Sequence, residues 1–461
     1  MKNKSLLFVI IILIFSCINN SRETKTVSAD DKKINEPKVV EQIQVDSVWA
    51  TNGVDFDLKI VGDKQFVAYF DRDRMMTVAS REIGSRDWTK KTLPNKLMWD
   101  SHNYVKLGID EMGFIHISGN QHVHPLAYFR STKPYDVTSM VEVNKMVGED
   151  ENSVTYPNFF HDKKGNLLFS YRSGTCGNGN ILINRFLAKE QKWERYLEQP
   201  LFEGIEANDD RAAYHNWVKD SHGDFHFAWI WRWTPMVETS HHICYAKTSD
   251  LKNWVNAAGE TLQLPFKPDD EKVLVDATPS KGGMHNSRYK LILTKENKPI
   301  LGYVKYDEEG NTQLYLAKFI NDGWVSKKIS NWDFRWKFIK GGAFMSIGGK
   351  FNFVGISDDN LLAIDWETEK GESGRYNIDL KTLEHADKVA KIQLKYPEDI
   401  RKTITDRDGM LVRIVYDKGG NQDDGSRYLL KWEAKHGGFS QHAPEVIPEG
   451  PLSTLVLLKI Q

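Results

Sequence analysis

Ten of the fourteen histidines in this 461-residue chain fall between His102 and His242. The densest stretch is Asp100-Ser-His102-Asn-Tyr104, followed by Gly119-Asn-Gln-His122-Val-His124-Pro125. Histidine is the side chain that exchanges protons near neutral pH, so such a concentration points to proton transfer. His102 stands at a loop–strand junction, and His122 and His124, two apart, share one face of an extended segment. His116, inside Phe114-Ile-His-Ile-Ser118, reads as an ordinary strand residue. Downstream lie Thr155-Tyr156-Pro157 and Tyr171-Arg172-Ser-Gly174-Thr-Cys-Gly-Asn-Gly179-Asn180. A residue before proline is held extended, which aims the Tyr156 phenol. Arg172 ends a strand and enters a glycine-rich loop, where a guanidinium can grip a carboxylate through two parallel hydrogen bonds. That loop lacks the spacing of a phosphate cradle. Arg211-Ala-Ala-Tyr214-His215-Asn-Trp217 brings a second tyrosine beside histidine and arginine. The plainer reading is that aromatic and arginine side chains here only hold strands together.

The elements that must position these groups are strands. No long segment of helical period follows residue 45, whereas alternating runs recur throughout. The 17 Tyr, 22 Phe, 14 Trp and 33 Gly suit pleated surfaces and tight turns. A turn followed by a strand of about six residues repeats seven times, marked by Gly62, Gly113, Gly165, Gly223, Asn297, Gly348 and Gly409, at spacings of 51 to 74 residues. Spacings of this size suit four-stranded blades with their loops. Between the copies stand Trp88, Trp193, Trp254 and Trp324, worn versions of the turn in which a tryptophan packs between blades of sialidase-type propellers. Residues 45–461 are therefore read as one all-β domain, a seven-bladed β-propeller. A pair of β-sandwiches would leave the spacing unexplained. The loops of one propeller face then carry the chemistry.

The combination of His102 with His122, Thr-Tyr156-Pro, Tyr-Arg172-x-Gly with Gly-Asn-Gly following, and Phe-His226-Phe-Ala-Trp-Ile-Trp-Arg232 leading into Ile243-Cys-Tyr-Ala-Lys-Thr-Ser-Asp250 resembles the propeller lyases that degrade ulvan, polysaccharide lyase families 24 and 25. The resemblance covers roughly residues 95–310 by motif. Ulvan is the sulfated rhamnose and uronic acid polysaccharide of green algae. The resemblance implies β-elimination, in which the C5 proton of a uronate is removed and the C4 oxygen expelled. It assigns Arg172, helped by His122 as a hydrogen-bond donor, to neutralise the sugar carboxylate. His102 and Tyr156 become general base and acid. If both act on the same side of the ring, Tyr156 serves both steps; if on opposite sides, His102 takes the proton and Tyr156 donates. A nearby cation is expected to lower the Tyr156 pKa. Tyr214, Arg232 and His124 are assigned to substrate binding, and no metal is required for the chemistry.

His242 and Cys244 are two apart on a strand-like run with His226 on the neighbouring strand, a set of nitrogen and sulfur donors that suits a structural zinc, with His285 as a fourth ligand. The alternative is a buried free cysteine among blade-packing histidines. The 62 Lys and Arg against 63 Asp and Glu give a net charge of -1, which argues against nucleic acid as a partner. A polyanionic glycan then requires local concentration of charge, and His102, His122, His124, Arg130, Lys133 and Arg172 are expected to form that patch.

Met-Lys-Asn-Lys followed by the apolar run Leu6 to Phe15 is a secretory signal, too short for a stable membrane span. Ile14-Phe15-Ser16-Cys17 resembles a bacterial lipoprotein box, which makes residues 1–17 a lipoprotein-type signal peptide, with a plain export signal as the alternative. Residues 18–44 are polar and read as a flexible tether. The expected protein is exported, monomeric, and bound to membrane only through a lipid anchor at the bacterial cell envelope, or secreted. Two other functions fit the sequence: a sialidase-like glycoside hydrolase, which would need paired carboxylates or a Tyr/Glu nucleophile with an arginine cluster, and a non-catalytic glycan-binding surface lipoprotein.

Overall fold

The computed structural model describes residues 36–205, 211–338, 348–417, 422–438 and 442–461. Over these residues the period-two alternation read from the sequence is realised as strands, with a few short 3-10 turns and no α-helix. The strands form five sheets of four strands and one of eleven. Consecutive strands pair antiparallel within each sheet, for example Asp57–Val61 with Lys64–Phe70 and then Met75–Glu82. The eleven-stranded sheet has one parallel link, Gly179 opposite Ala212, between a group running from Val154–His161 to Lys192–Arg195 and a group that starts at Ala212–Lys219.

First strands of successive groups touch one another. Asp57–Val61 meets Val105–Ile109, which meets Val154–His161; Ala212–Lys219 meets Tyr289–Leu293, which meets Lys350–Ile356; and Asp57–Val61 also meets Met410–Tyr416. Between the sheets lie the apolar layers: Phe56 stacks on Trp432 at 4.5 Å, joining the first sheet to the last, and Trp229, Trp231 and Trp254 are fully buried.

The seven turn markers all have positive φ, from 55° at Gly348 to 85° at Gly113. Five of them sit between the first and second described strands of a group, and Gly348 and Gly409 stand just before the described strands Lys350–Ile356 and Met410–Tyr416. In all seven copies a left-handed turn residue is followed by a strand, as the repeat read from the sequence requires.

The signal peptide at 1–17, with Cys17, and residues 18–35 of the expected tether lie outside the described residues. The tether boundary at 44 is corrected. Val39–Trp49 is a strand that runs antiparallel to Leu452–Ile460, from Val39 opposite Ile460 to Trp49 opposite Leu452. The polar residues between 39 and 44 alternate with Ile43 and Val45, both buried, so one apolar face suffices to fix them in the sheet.

Candidate active site

Three neighbouring strands bring the reactive groups together. The short strand His122–His124 pairs with Val154–His161, which pairs with Leu167–Thr175. Thr155 stands opposite His122 on one side and opposite Arg172 on the other. Its hydroxyl accepts a hydrogen bond from the Val123 backbone N–H at 2.8 Å, which fastens the histidine strand in place.

Tyr156 does not have the extended backbone expected before a proline. Its φ is +60°, in the left-handed region, at the register shift between Thr155 and Asn158. Val123, on the facing strand, is also left-handed at φ +60°. Such conformations cost on the order of 1 kcal/mol or more for non-glycine residues and persist where surrounding pairing over-determines them. Here the bulge turns Tyr156 toward Arg172, whose guanidinium carbon lies 4.9 Å from the ring centre.

Arg172 is 1% exposed, and none of its three guanidinium nitrogens has a hydrogen-bond partner among the described residues. It borders a cavity of about 350 Å³ with Tyr104, Tyr156, Asn158, Tyr214 and Asn286. Gly179 makes this position possible: a Cβ there would lie 2.8 Å from the Arg172 Cγ and Cδ. That close approach, rather than anion binding by its own amides, is the use of glycine at this point of the loop.

His102 and His122 stand beside Tyr156. Their rings stack at 4.1 Å, and His102 meets the Tyr156 ring edge-on at 5.8 Å. Asp100, singled out by no sequence argument, organises both. Its Oδ1 accepts from the backbone N–H of His102 at 2.8 Å and from His102 Nδ1 at 2.6 Å, and its Oδ2 accepts from His122 Nδ1 at 2.9 Å. The Asp-x-His spacing was a readable signal for the first contact, since aspartate commonly bonds the chain two residues on. The second contact spans 22 residues and exists only in the fold. Burial opposes the charge on Asp100, but bonds from His102 and His122 outweigh it and hold the carboxyl well below the usual range. His122 is lowered, chiefly by burial. Burial raises Tyr156, and the Arg172 cation only partly offsets this, so the expected lowering is reversed.

The residues assigned to binding divide. Tyr214 joins the site: its ring lies 6.3 Å from that of Tyr156 and 6.0 Å from the Arg172 guanidinium carbon, and its hydroxyl contacts Cys176 Sγ at 3.1 Å. Burial raises its pKa. Arg232 lies over Tyr214 at 5.6 Å, but its guanidinium donates to the carbonyls of Thr234 and Pro235, so it braces its own loop. His124 is exposed at the strand edge, its Nδ1 accepting from the His122 N–H at 3.4 Å. Arg130 is engaged elsewhere, donating to the Gln191 carbonyl and lying over Phe186.

The zinc set is corrected. Strand Phe225–Arg232 pairs with Ser240–Thr248 so that His226 faces Lys247 and Cys244 faces Trp229. Residues directly opposite share a sheet face, and odd and even positions alternate, so His226 and Cys244 point to opposite sides of the sheet. Cys244 packs in the apolar layer with Trp229, Trp231 and Trp254. His242 lies at φ +52°, beside a register shift, with its backbone N–H bonded to the Thr278 carbonyl. His285 stacks on Trp336 at 5.0 Å and accepts from Ser287. His226 belongs instead to a device that occurs twice: an aspartate of the turn, a histidine six residues on, and a tyrosine of the next strand. Asp220 contacts His226 at 3.2 Å and His226 contacts the Tyr245 hydroxyl at 2.6 Å; Asp110 contacts His116 at 3.3 Å and His116 contacts the Tyr128 hydroxyl at 2.7 Å. Among the described residues, the three His, Cys, Asp or Glu side chains whose donor atoms lie within 4.8 Å of one another are Asp100, His102 and His122, and the ring-to-carboxylate bonds already engage both Nδ1 atoms.

The chain is similar to known proteins in sequence over one segment and in fold over most of its length. A 134-residue segment is 28% identical to the short isoform of an ulvan lyase from Alteromonas sp. (strain LOR), covering 27% of this chain and 25% of that protein. The chain thus spans about a quarter of the length of that relative. The fold matches the crystal structure of polysaccharide lyase Uly1 with a TM-score of 0.58 at 13% identity, over 92% of this chain and 99% of that one. It matches a PL25 ulvan lyase with a TM-score of 0.57 at 14% identity, over 85% and 93%; that protein has also been solved with -[GlcA(1-4)Rha3S]- bound. The model of the BNR repeat-containing family matches residues 64–332, a span that takes in Asp100, both histidines, Tyr156 and Arg172 and exceeds half of the sequence, so the chain belongs to the BNR repeat-containing family.

Proposed function

We propose that this protein is an exported polysaccharide lyase that cleaves ulvan by β-elimination at its uronate, on a seven-bladed β-propeller. The observation that carries the reading is Arg172, a buried guanidinium without a hydrogen-bond partner among the described residues, set against a phenol at a cavity, with a pair of histidines on the far side of that phenol's edge contact. A buried charge left uncompensated costs several kcal/mol, and a sugar carboxylate is the ligand that both offsets this cost and needs it. The relatives named as ulvan lyases support the choice of substrate. Reading the eleven-stranded sheet as two blades divided at its single parallel link gives seven blades in all, and the contacts between successive first strands suit a radial arrangement.

With Arg172 paired to the carboxylate, the C5 proton becomes acidic enough to transfer and the charge that develops on the acid is stabilised. His102 takes that proton, the C5 electron pair forms the new double bond, and the C4–O4 bond breaks. Tyr156, kept as the neutral phenol by burial, gives its proton to the departing O4. Both groups then re-equilibrate with water. Tyr214 shapes the wall beside Arg172. The signal sequence and its lipoprotein-type cysteine support export and lipid anchoring at the cell envelope.

The test is to mix the purified chain with ulvan, beside alginate, heparin and pectin, and follow ultraviolet absorbance of the unsaturated uronate. A rise with ulvan supports the lyase. New reducing ends without absorbance would establish a glycoside hydrolase, and retention on ulvan without cleavage would establish a glycan-binding protein.

A further inference from the structure

We propose that Asp100 is a positioning residue that sets the proton positions of two histidines at once, so that His102 and His122 both present Nε2 as a proton acceptor. The inference deepens the lyase reading and rests on it for its kinetic consequence, though not for its structural one. An ionised carboxylate can only accept hydrogen bonds. Each oxygen of Asp100 is bonded to one ring nitrogen, Oδ1 to His102 Nδ1 and Oδ2 to His122 Nδ1. Both Nδ1 atoms must therefore carry the hydrogen, and in a neutral imidazole the proton is then absent from Nε2. Asp100 is 2% exposed, so water does not compete readily for these bonds.

The consequence revises the role read from the sequence for His122. A neutral His122 has no Nε2 hydrogen to give a sugar carboxylate; it donates there only as the imidazolium. The groups facing the pair decide how readily that form arises. Asp100 favours it, while burial, the neighbouring His102 and the Arg172 guanidinium disfavour it. Tyr156 meets His102 edge-on, and His124 faces the His122 backbone through its Nδ1. Carboxylate neutralisation then falls to Arg172, and the stacked histidines form the proton-accepting side of the site.

Two measurements test this. Nitrogen-15 NMR of the histidine rings in the full protein without substrate should show both rings as the Nδ1–H form when neutral. A neutral His102 or His122 carrying its hydrogen on Nε2 would overturn the proposal, whatever the protein does to ulvan. In Asp100→Asn the amide can accept from one ring but must donate to the other, which forces that ring to move its hydrogen to Nε2. With ulvan, kcat should fall on the order of a hundredfold with KM little changed. The limb of the pH–rate profile that reports histidine protonation should move to lower pH, because the carboxylate that favoured imidazolium is gone. A merely structural aspartate would lower stability without moving that limb, so a folded Asp100→Asn protein with unchanged kcat and pH profile would also overturn the proposal.

Discussion

The Arg172 guanidinium carbon lies 4.9 Å from the centre of the Tyr156 ring, so a cation and a phenol share one wall of the cavity, with no carboxylate among the described residues that line it. Two opposing magnitudes follow. The cation–π contact is worth about 2 kcal/mol when desolvated, whereas burying an unpaired ion costs several. Arg172→Met should therefore hold or raise the melting temperature while lowering kcat/KM for ulvan on the order of a thousandfold, the loss typical of a removed transition-state donor. Thermal melts beside steady-state kinetics decide this. A variant that keeps its turnover would remove the anion-binding role.

Tyr156→Phe isolates the hydroxyl, since the ring and its contact with Arg172 remain. The expected loss is about a hundredfold to ten-thousandfold in kcat, with KM nearly unchanged, as for removal of a general acid. Wild-type turnover in this variant would transfer proton donation to another group.

Gly179→Ala probes the positioning of Arg172 without touching a reacting atom. The added methyl would meet the arginine stem at 2.8 Å, and a displacement near 1 Å can cost about a hundredfold in rate. Kinetics should show that loss with a circular dichroism spectrum like that of the wild type. Unchanged kinetics would mean that the arginine does not need this seat.

What the sequence made legible follows the reach of its signals. Turn chemistry is local, so all seven left-handed turn markers, each followed by a strand, were readable, whereas the register between strands is not local. His102, His122, Tyr156 and Arg172 could be grouped because residue type and spacing survive without register, and the fold sets them side by side. The zinc set failed on the same ground: two strands were rightly taken as neighbours, but which residues oppose one another decides the face, and His226 pairs with Lys247 rather than with a residue on the Cys244 side. Tyr156 shows local preference overridden, since pairing to strands on both sides outweighs the extended bias that Pro157 imposes. Asp100 needed the fold, because its second histidine arrives from another turn.

His226 offers a test of the repeated aspartate–histidine–tyrosine device. Replacing it with leucine would leave the buried Tyr245 hydroxyl without its bond to the ring and take one bond from Asp220, which keeps those from His222, Asp224 and Lys247. Leaving a buried hydroxyl unsatisfied costs about 1 to 3 kcal/mol. Denaturant melts of His226→Leu should show a loss in that range, and kcat/KM for ulvan should be unaltered. A loss of activity without loss of stability would return this histidine to the functional set.

Stability should also fall in mild acid through His215, whose ring lies between Phe202 at 5.3 Å and Phe227 at 5.7 Å. Burial lowers its pKa from 6.5 to about 4. In the unfolded chain it binds a proton from about 6.5 downward, while the folded protein resists until about 4, so over that window the unfolded state holds more protons and stability declines as pH falls. The shift corresponds to roughly 3 kcal/mol at its fullest. His215→Phe preserves the aromatic stack and removes the titration. Its melting temperature should therefore drop less between pH 6.5 and 4 than that of the wild type. Parallel slopes in the two proteins would show that another buried group is responsible for the acid sensitivity.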